Sequence, residues 1–325
     1  MRDLVLTGHD GYLDNVSDAS KALSGGVISG KTDNDNYTAP TDAFNALINN
    51  GSITSGRDLS INAKQLSNIG VDKSASSSKG TVYTSNANTS AWTLKSYQDI
   101  NQSYFDTTAA VISAGRNLRI AAEEVYNKSS VIEAAGNVAI DSARLINITS
   151  SYVENLTHYY ERIEYYTDGE GHRQSRLKKT SGIVQVNVLS KQAGIIKAGG
   201  ALNISSTLVE NGREGDFFAK SELGPVLSGQ SISIKAEKLN NYGTVKASQS
   251  LTLSARDVNN ISNKYGYSKI SSAGSLTINA VNLLNSGSTI RGNYVTINTT
   301  GNLTNKADMS YDMAKDRFYG YQSLI

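Results

Sequence analysis

A repeat of about twenty residues is the feature that most constrains how this chain folds. Each unit has five fixed positions: an apolar residue, apolar residues six, eight and thirteen positions later, and an asparagine at position fifteen. Six units keep these offsets, and they begin at Ile53, Ile112, Ile132, Ile196, Val245 and Ile270. Two further units, beginning at Leu227 and Ile290, carry a one-residue contraction. A period of this length is typical of a solenoid.

The spacing within the unit indicates a coil of β-strands. Side chains alternate between the two faces of a strand, so the apolar residues at offsets six and eight share one face. A glycine between the first apolar residue and this pair suits a tight corner that needs a permissive backbone. The asparagine at the end of the unit can stack on its equivalent one coil away. Stacking at about 4.8 Å would then join the apolar faces into one core.

We therefore predict an all-β fold, a parallel β-helix with hairpin or loop insertions. A β-sandwich would have strands about 8 to 12 residues apart, joined by hairpin turns, and would not keep this register. The start Met1-Arg2-Asp3-Leu4 is not a signal peptide, so residues 1–325 are expected to be one segment of a longer protein. The predicted organisation is regular repeats over 49–69, 110–147 and 194–305, insertions over 70–109 and 148–193, and an irregular C-terminal segment over 306–325.

Two units carry a resemblance to a known family. The sequences from Ile112 to Ile120 and from Ile270 to Ala280 resemble filamentous haemagglutinin repeats. Such repeats build the shafts of two-partner-secreted exoproteins, which include haemagglutinin adhesins and the CdiA effectors of contact-dependent growth inhibition. The resemblance implies a right-handed β-helix, secreted to the surface of a Gram-negative cell.

Composition excludes several classes of partner and site. The 31 basic and 29 acidic residues give a net charge of +2, whereas phosphate binding needs a one-sided basic surface, so no nucleic-acid partner is expected. The chain has no cysteine, which excludes disulfides and thiolate metal sites. It also has no apolar run of about eighteen residues that would form a transmembrane helix.

Aromatic residues concentrate where the repeat fails. Of the 18 tyrosines, thirteen lie in segments 70–110, 148–193, 261–269 and 306–325, and the single tryptophan, Trp92, lies in the first of these. Tyrosine, tryptophan and arginine are the residue types enriched at protein–protein hot spots. The interruptions are therefore the candidate binding surface.

Segment 148–193 has the pattern of a long hairpin. Its turn is predicted at Asp168-Gly169-Glu170-Gly171, between an arm with acidic residues and an arm rich in basic residues that can pair across the strands. An alternative is that its tyrosines cap the shaft and cover an apolar edge. The candidate receptor-binding residues are Tyr159, Tyr160, Arg162, Tyr165, Tyr166, Arg173 and Arg176, with Trp92 and Tyr97 as a weaker group.

No pattern of catalytic residues stands out. Carboxylates do not recur from coil to coil, and His9, His158 and His172 stand alone. The alternation at Asp33 and Asp35 lacks the glycine and distal glutamate of a calcium loop. We expect no enzyme activity, no cofactor, no metal and no small-molecule substrate.

The resemblance and the interruptions together predict a function. The chain is expected to be a monomeric receptor-binding segment of a CdiA-type effector, which recognises a β-barrel outer-membrane protein on a target bacterium before toxin delivery. Two alternatives stay open: a haemagglutinin adhesin shaft that binds a host glycan or protein, and a purely structural spacer.

Overall fold

A computed structural model describes residues 4–6, 12–15, 27–30, 44–73, 78–83, 93–102, 104–213, 224–262, 268–312 and 317–321. All regular secondary structure in these ranges is β-strand. The strands in chain order are β1 (Leu4–Leu6), β2 (Tyr12–Asn15), β3 (Val27–Gly30), β4 (Phe44–Asn49), β5 (Ser52–Ser55), β6 (Leu59–Ile69), β7 (Val71–Asp72), β8 (Ser78–Tyr83), β9 (Thr93–Gln102), β10 (Tyr104–Phe105), β11 (Thr107–Thr108), β12 (Val111–Ala114), β13 (Leu118–Lys128), β14 (Val131–Ala134), β15 (Val138–Ile148), β16 (Ser151–Thr167), β17 (Arg173–Ser190), β18 (Ile195–Ala198), β19 (Ala201–Asn211), β20 (Val226–Asn241), β21 (Thr244–Ile261), β22 (Lys269–Ser272), β23 (Ser275–Ser286), β24 (Thr289–Arg291), β25 (Tyr294–Thr299), β26 (Leu303–Lys306), β27 (Asp308–Asp312) and β28 (Arg317–Tyr321).

The repeats wind into one parallel sheet that curls almost into a barrel. It is built from β1 to β6, β12 to β15 and β18 to β26. The predicted register is present: Ile112 of β12 lies between Ile53 of β5 and Ile132 of β14. The long strands stack in the same way, as β13 pairs with β6 on one side and β15 on the other. The all-β solenoid is therefore confirmed, while its right hand stays a prediction.

The interior of the coils is apolar. In the seven units from Ile53 to Ile270 the apolar positions are fully or almost fully buried. In the last unit only Ile290 is buried, while Val295 and Ile297 are half-buried and Leu303 is exposed. Burying one such side chain contributes about 1.5–3 kcal/mol. The solenoid is thus held by a continuous core to which each of the seven units adds the same set of residues.

The repeated asparagines form an unbroken ladder of hydrogen bonds. The Nδ2 atom of each donates to the Oδ1 atom of the next, over distances of 2.7–2.9 Å. The second Nδ2 hydrogen caps a backbone carbonyl at the following corner, as Asn147 does with Gly194 at 3.1 Å. The predicted stack is confirmed. Its members are Asn49, Asn68, Asn127, Asn147, Asn211, Asn241, Asn260, Asn285 and Asn305.

The corner glycines are required by close approach between coils. A Cβ atom at Gly115 would collide with the backbone of Gly56, and one at Gly199 would collide with the backbone of Ala135. Neither glycine has the positive φ that excludes side chains by itself. The physical reason for glycine here is therefore the space between stacked backbones.

The solenoid also extends before the first unit found in the sequence. β3 pairs in parallel with β5 through Ile28 and Ile53, and β4 pairs with β6 through Asn49 and Asn68. At the other end, β27 and β28 form an antiparallel hairpin within the segment expected to be irregular.

Candidate functional site

The two long insertions meet in one five-stranded sheet. β8 and β9 form an antiparallel hairpin in the first insertion, and β16 and β17 form a longer one in the second. β9 pairs with β16, and β10 pairs with the base of β17, which gives the order β10-β17-β16-β9-β8. We call this the insertion sheet. The insertions are therefore hairpins and not degenerate coils, and the predicted hairpin in 148–193 is confirmed.

A single aspartate organises the hairpin turn. The Oδ1 atom of Asp168 accepts hydrogen bonds from the backbone N–H groups of His172 at 2.8 Å and Glu170 at 3.1 Å. Its Oδ2 atom accepts from Nε2 of Gln174 at 2.9 Å. The bond from Gln174, followed by that from His172, lowers the pKa of Asp168. Gly171 takes the positive φ that closes the turn, so the predicted turn position is confirmed.

A second aspartate joins the bases of both insertions to the solenoid. Asp72 of β7 accepts a hydrogen bond from Thr107 of β11 at 2.7 Å and another from Ser150, which immediately precedes β16. Its carboxylate also lies 3.8 Å from Nζ of Lys128 in β13. One carboxylate therefore ties the start of the first insertion, its end and the start of the second insertion to a solenoid strand.

One face of the insertion sheet exposes large apolar side chains. Directly opposed residues of β16 and β17 share a face, and Ile163 lies opposite Leu177. Ile163 is 61% exposed, Leu177 55% and Ile183 71%. We call this surface the exposed apolar face; its large members are Tyr83, Val153, Tyr159, Ile163, Tyr165, Leu177 and Ile183.

The opposite face is more covered, above all near the base. Leu156 and Val188 are buried there, and the rings of Tyr152 and Phe105 lie 5.5 Å apart between centroids. The rings of Tyr97 and His158 are also 5.5 Å apart. This face is therefore packed near the base of the sheet, whereas near the turn both faces are exposed.

Charged residues on the opposite face form a network around Glu164. Its carboxylate accepts from Lys178 at 2.9 Å, from Nη2 of Arg176 at 2.6 Å and from Arg162 at 3.2 Å. The bonds from Lys178 and Arg176 lower the pKa of Glu164 to about 2. On the other face Lys179 lies 3.3 Å from Glu161. The predicted pairing between acidic and basic arms is thus confirmed.

Two arginines stack on tyrosines near the turn. The guanidinium carbon of Arg173 lies 4.7 Å from the ring centroid of Tyr165, and that of Arg176 lies 5.3 Å from the ring centroid of Tyr166. Such contacts contribute about 0.5–1 kcal/mol at exposed positions. They favour positions of the arginine side chains over the tyrosine rings.

Seven of the nine candidate residues lie on the hairpin of β16 and β17 but divide between its faces. Tyr159, Tyr165 and Arg173 belong to the exposed apolar face, and Tyr160, Arg162, Tyr166 and Arg176 belong to the opposite face. Tyr97 also lies on the opposite face, against His158. Trp92 lies outside the described residues.

The alternative that the tyrosines cover the solenoid does not fit three of the five tyrosines of the hairpin. Tyr159, Tyr165 and Tyr166 are exposed, whereas Tyr152 and Tyr160 are half-buried. Sequence reasoning missed the aliphatic residues between them, although the alternation of Tyr159, Glu161, Ile163 and Tyr165 along β16 was a signal that they share one face.

The described residues contain neither a cluster of metal-ligand side chains nor a membrane-spanning helix. Within the described ranges, no three histidine, aspartate or glutamate side chains converge as metal ligands. In the same part of the chain, no helix has the length and apolar character needed to span a lipid bilayer. His9 and the Asp33–Asp35 alternation lie outside the described residues, so the expected lack of a metal stays a prediction.

Comparison with known proteins identifies the repeats. The haemagglutinin repeat family matches residues 45–100, 90–151, 177–257 and 268–307, which is well over half of the chain. The matches omit 152–176, which holds most of β16 and the hairpin turn. Neither a curated protein nor a solved structure matches the chain. On the extent of these matches, the chain belongs to the haemagglutinin repeat family.

Proposed function

We propose that this chain is the receptor-binding segment of a CdiA-type effector of contact-dependent growth inhibition, and that its insertion sheet recognises an outer-membrane protein of a target bacterium. Haemagglutinin repeat proteins are generally secreted or cell-surface exoproteins whose repeats form an adhesin or exoprotein shaft. Beyond this general property of the family, we propose that the chain is displayed on a Gram-negative cell and that its receptor is a bacterial protein.

The observation that carries the proposal is the exposed apolar face. Monomeric soluble proteins rarely leave a large contiguous apolar patch in solvent unless it binds something. Here Ile163 and Leu177 form a directly opposed exposed pair, and Tyr159 and Tyr165 flank it on β16. Tyrosine is one of the residue types that dominate binding energy at protein interfaces, and the aliphatic pair adds apolar surface that a partner would remove from water. A plain spacer would have no need of this surface, and most of β16 lies outside the family's repeat.

The test is binding of the labelled full chain to target bacteria. In the variant Ile163→Asn with Leu177→Asn, two side chains of the exposed apolar face become polar and the solenoid is untouched. We expect binding to fall by about tenfold or more, since a hot-spot residue is worth about 2 kcal/mol. The matched control is Val281→Asn with Tyr294→Asn, which replaces two exposed apolar residues of the solenoid.

Equal binding by both double variants would contradict the proposal that this face binds the receptor, whereas no binding by the original chain would favour the spacer. The receptor class is tested with target strains that each lack one outer-membrane protein, where one strain should lose binding. Binding that survives in every such strain would point to a glycan and therefore to the adhesin alternative.

A further inference from the structure

The outer edge of β17 is an unusually long strand edge. On one side β17 pairs with β16 from Arg173 to Leu189. On the other side, the described residues supply only β10, which pairs at Leu189 and Ser190. No described strand pairs with that edge from Arg173 to Val188, although a typical strand is only about 5–6 residues long. Edges of this kind accept additional strands.

The backbone groups that face this edge follow from the ends of the hairpin. In antiparallel pairs, hydrogen-bonded and non-hydrogen-bonded residues alternate. The N–H of Asp168 donates to the carbonyl of His172 at 3.0 Å, and the N–H of Ser190 donates to the carbonyl of Ser150 at 2.8 Å. Both bonds join even-numbered residues, so odd-numbered residues of β17 direct their N–H and C=O groups to the outer edge. These include Ser175, Leu177, Lys179 and Ser181.

The charge of β17 selects what can pair there. Its sequence has Arg173, Arg176, Lys178 and Lys179 and no carboxylate. The carboxylates that balance these cations lie on β16 and in the turn, where Glu161 and Glu164 pair with three of them, so the charged side chains of the edge strand itself are all positive. Like charges opposed across strands are destabilising, whereas opposite charges attract. A second β17 paired through its basic half is therefore disfavoured, and an acid-rich strand is favoured.

We propose that the outer edge of β17 binds an extended, acid-rich segment of a partner protein as an additional strand of the insertion sheet. Main-chain hydrogen bonds from the odd-numbered residues supply affinity, and the basic side chains supply preference. This inference rests on the proposed function and deepens it, because it states how a receptor segment is held. Alternate side chains of the added strand would extend the exposed apolar face next to Leu177.

The first experiment uses the full chain and two synthetic peptides of about ten residues. In one peptide every second residue is glutamate and the residues between are threonine or valine. In the other peptide each glutamate is replaced by lysine. We expect the glutamate peptide to bind about tenfold more tightly than the lysine peptide, and less tightly as NaCl rises from about 50 to about 500 mM. Hydrogen exchange should show new protection at the amides of Ser175, Leu177, Lys179 and Ser181.

The second experiment removes two edge donors. Proline has no N–H, and at Ser175 and Ser181 that group does not serve the ladder with β16, so Ser175→Pro with Ser181→Pro should keep the hairpin and lose peptide binding by about tenfold or more. The matched control, Ser175→Ala with Ser181→Ala, keeps both donors and should bind like the original chain. The variant Arg173→Glu with Lys179→Glu should bind the lysine peptide more tightly than the glutamate peptide. This variant tests the inference even if the proline variant fails to fold.

Three results would overturn the inference. These are equal binding of both peptides, unchanged protection of the four amides at saturating glutamate peptide, and a dimer, detected by sedimentation, in which hydrogen exchange shows the same amides protected without peptide. Failure of this inference can be distinguished from failure of the proposed function. Cell binding that ignores Ile163 and Leu177 counts against the function, whereas failed peptide binding with intact cell binding counts only against strand addition.

Discussion

A single asparagine in the middle of the ladder offers a severe test of how the coils are joined. Asn147 has no exposed surface, accepts a hydrogen bond from Asn127 at 2.8 Å and donates one to Oδ1 of Asn211 at 2.9 Å. In Asn147→Asp the side chain keeps its shape and can still accept from Asn127. An ionised carboxylate, however, would place an oxygen acceptor against the Oδ1 acceptor of Asn211 in a buried site. The protonated acid has an O–H that can donate to Asn211.

The cost of this change depends on pH in a calculable way. Below pH of about 3.9, the ordinary pKa of aspartate, the acid is protonated in both states, and the variant loses about 1 kcal/mol with the hydrogen bond to Gly194. Burial and the facing acceptor raise the folded pKa, so stability falls as pH rises toward that value. Each pH unit adds about 1.4 kcal/mol, which reaches about 4 kcal/mol by pH 7 if the acid stays protonated in the fold.

Urea denaturation followed by circular dichroism at about pH 4 and pH 7 measures this difference against the original chain. The matched control is Asn298→Asp, because Asn298 donates to Asn279 at 2.8 Å in an exposed ladder on the outside of the solenoid. We expect the control to change stability by less than about 0.5 kcal/mol at both pH values. A penalty for Asn147→Asp that is the same at both pH values would refute the reasoning.

Three further changes test the core, the corners and the hairpin. Ile140→Ala should destabilise the chain by about 2–5 kcal/mol in the same denaturation assay, because it removes a buried side chain from the continuous core. Gly199→Ala should lower the free energy of unfolding by about 1–3 kcal/mol, since the added methyl group meets the backbone of Ala135. The methyl group added by Gly169→Ala would have no neighbouring atom within 4 Å, so this control should leave stability unchanged. By NMR, Glu164 should titrate near pH 2 instead of 4.5, so its ion pairs stabilise the hairpin above pH 4.5 and are lost as pH falls toward 2; a midpoint near 4.5 would contradict the network.

The solenoid was predictable because successive coils bury apolar residues at the same positions of their repeat. Each coil must present apolar residues at the same offsets to bury them, so eight copies of one pattern, six of them with identical offsets, determine the register. The asparagine at offset fifteen indicated the ladder for the same reason. The strands β1 to β4 were harder to find, because β4 keeps Leu47 and Asn49 at the end of its unit but the earlier positions of that unit do not follow the pattern.

The insertion sheet was predictable only in part. The hairpin of β16 and β17 is local, and its turn residues and charge pattern are adjacent in sequence, so both could be inferred. The pairing of β9 with β16 joins Tyr97 to His158 across two coils and carries no comparable local signal. Which face of the hairpin is exposed depends on what packs against the sheet, and the local sequence does not contain this information. The candidate residues therefore included both Tyr159 and Tyr160, which lie on opposite faces.

The repeat register nevertheless contains a clue to that meeting. Both long insertions begin just after a ladder asparagine, Asn68 or Asn147, and end just before the first apolar residue of the next unit. Both therefore leave the solenoid at the same corner of the coil, two stacked strands apart, which is about 10 Å. The shorter breaks after Asn211 and Asn260 fall at this corner too. Because both long insertions leave the solenoid from this corner, their hairpins begin on the same side of it and lie within pairing distance. The regular coils thus determine the place where the irregular segments assemble into a surface.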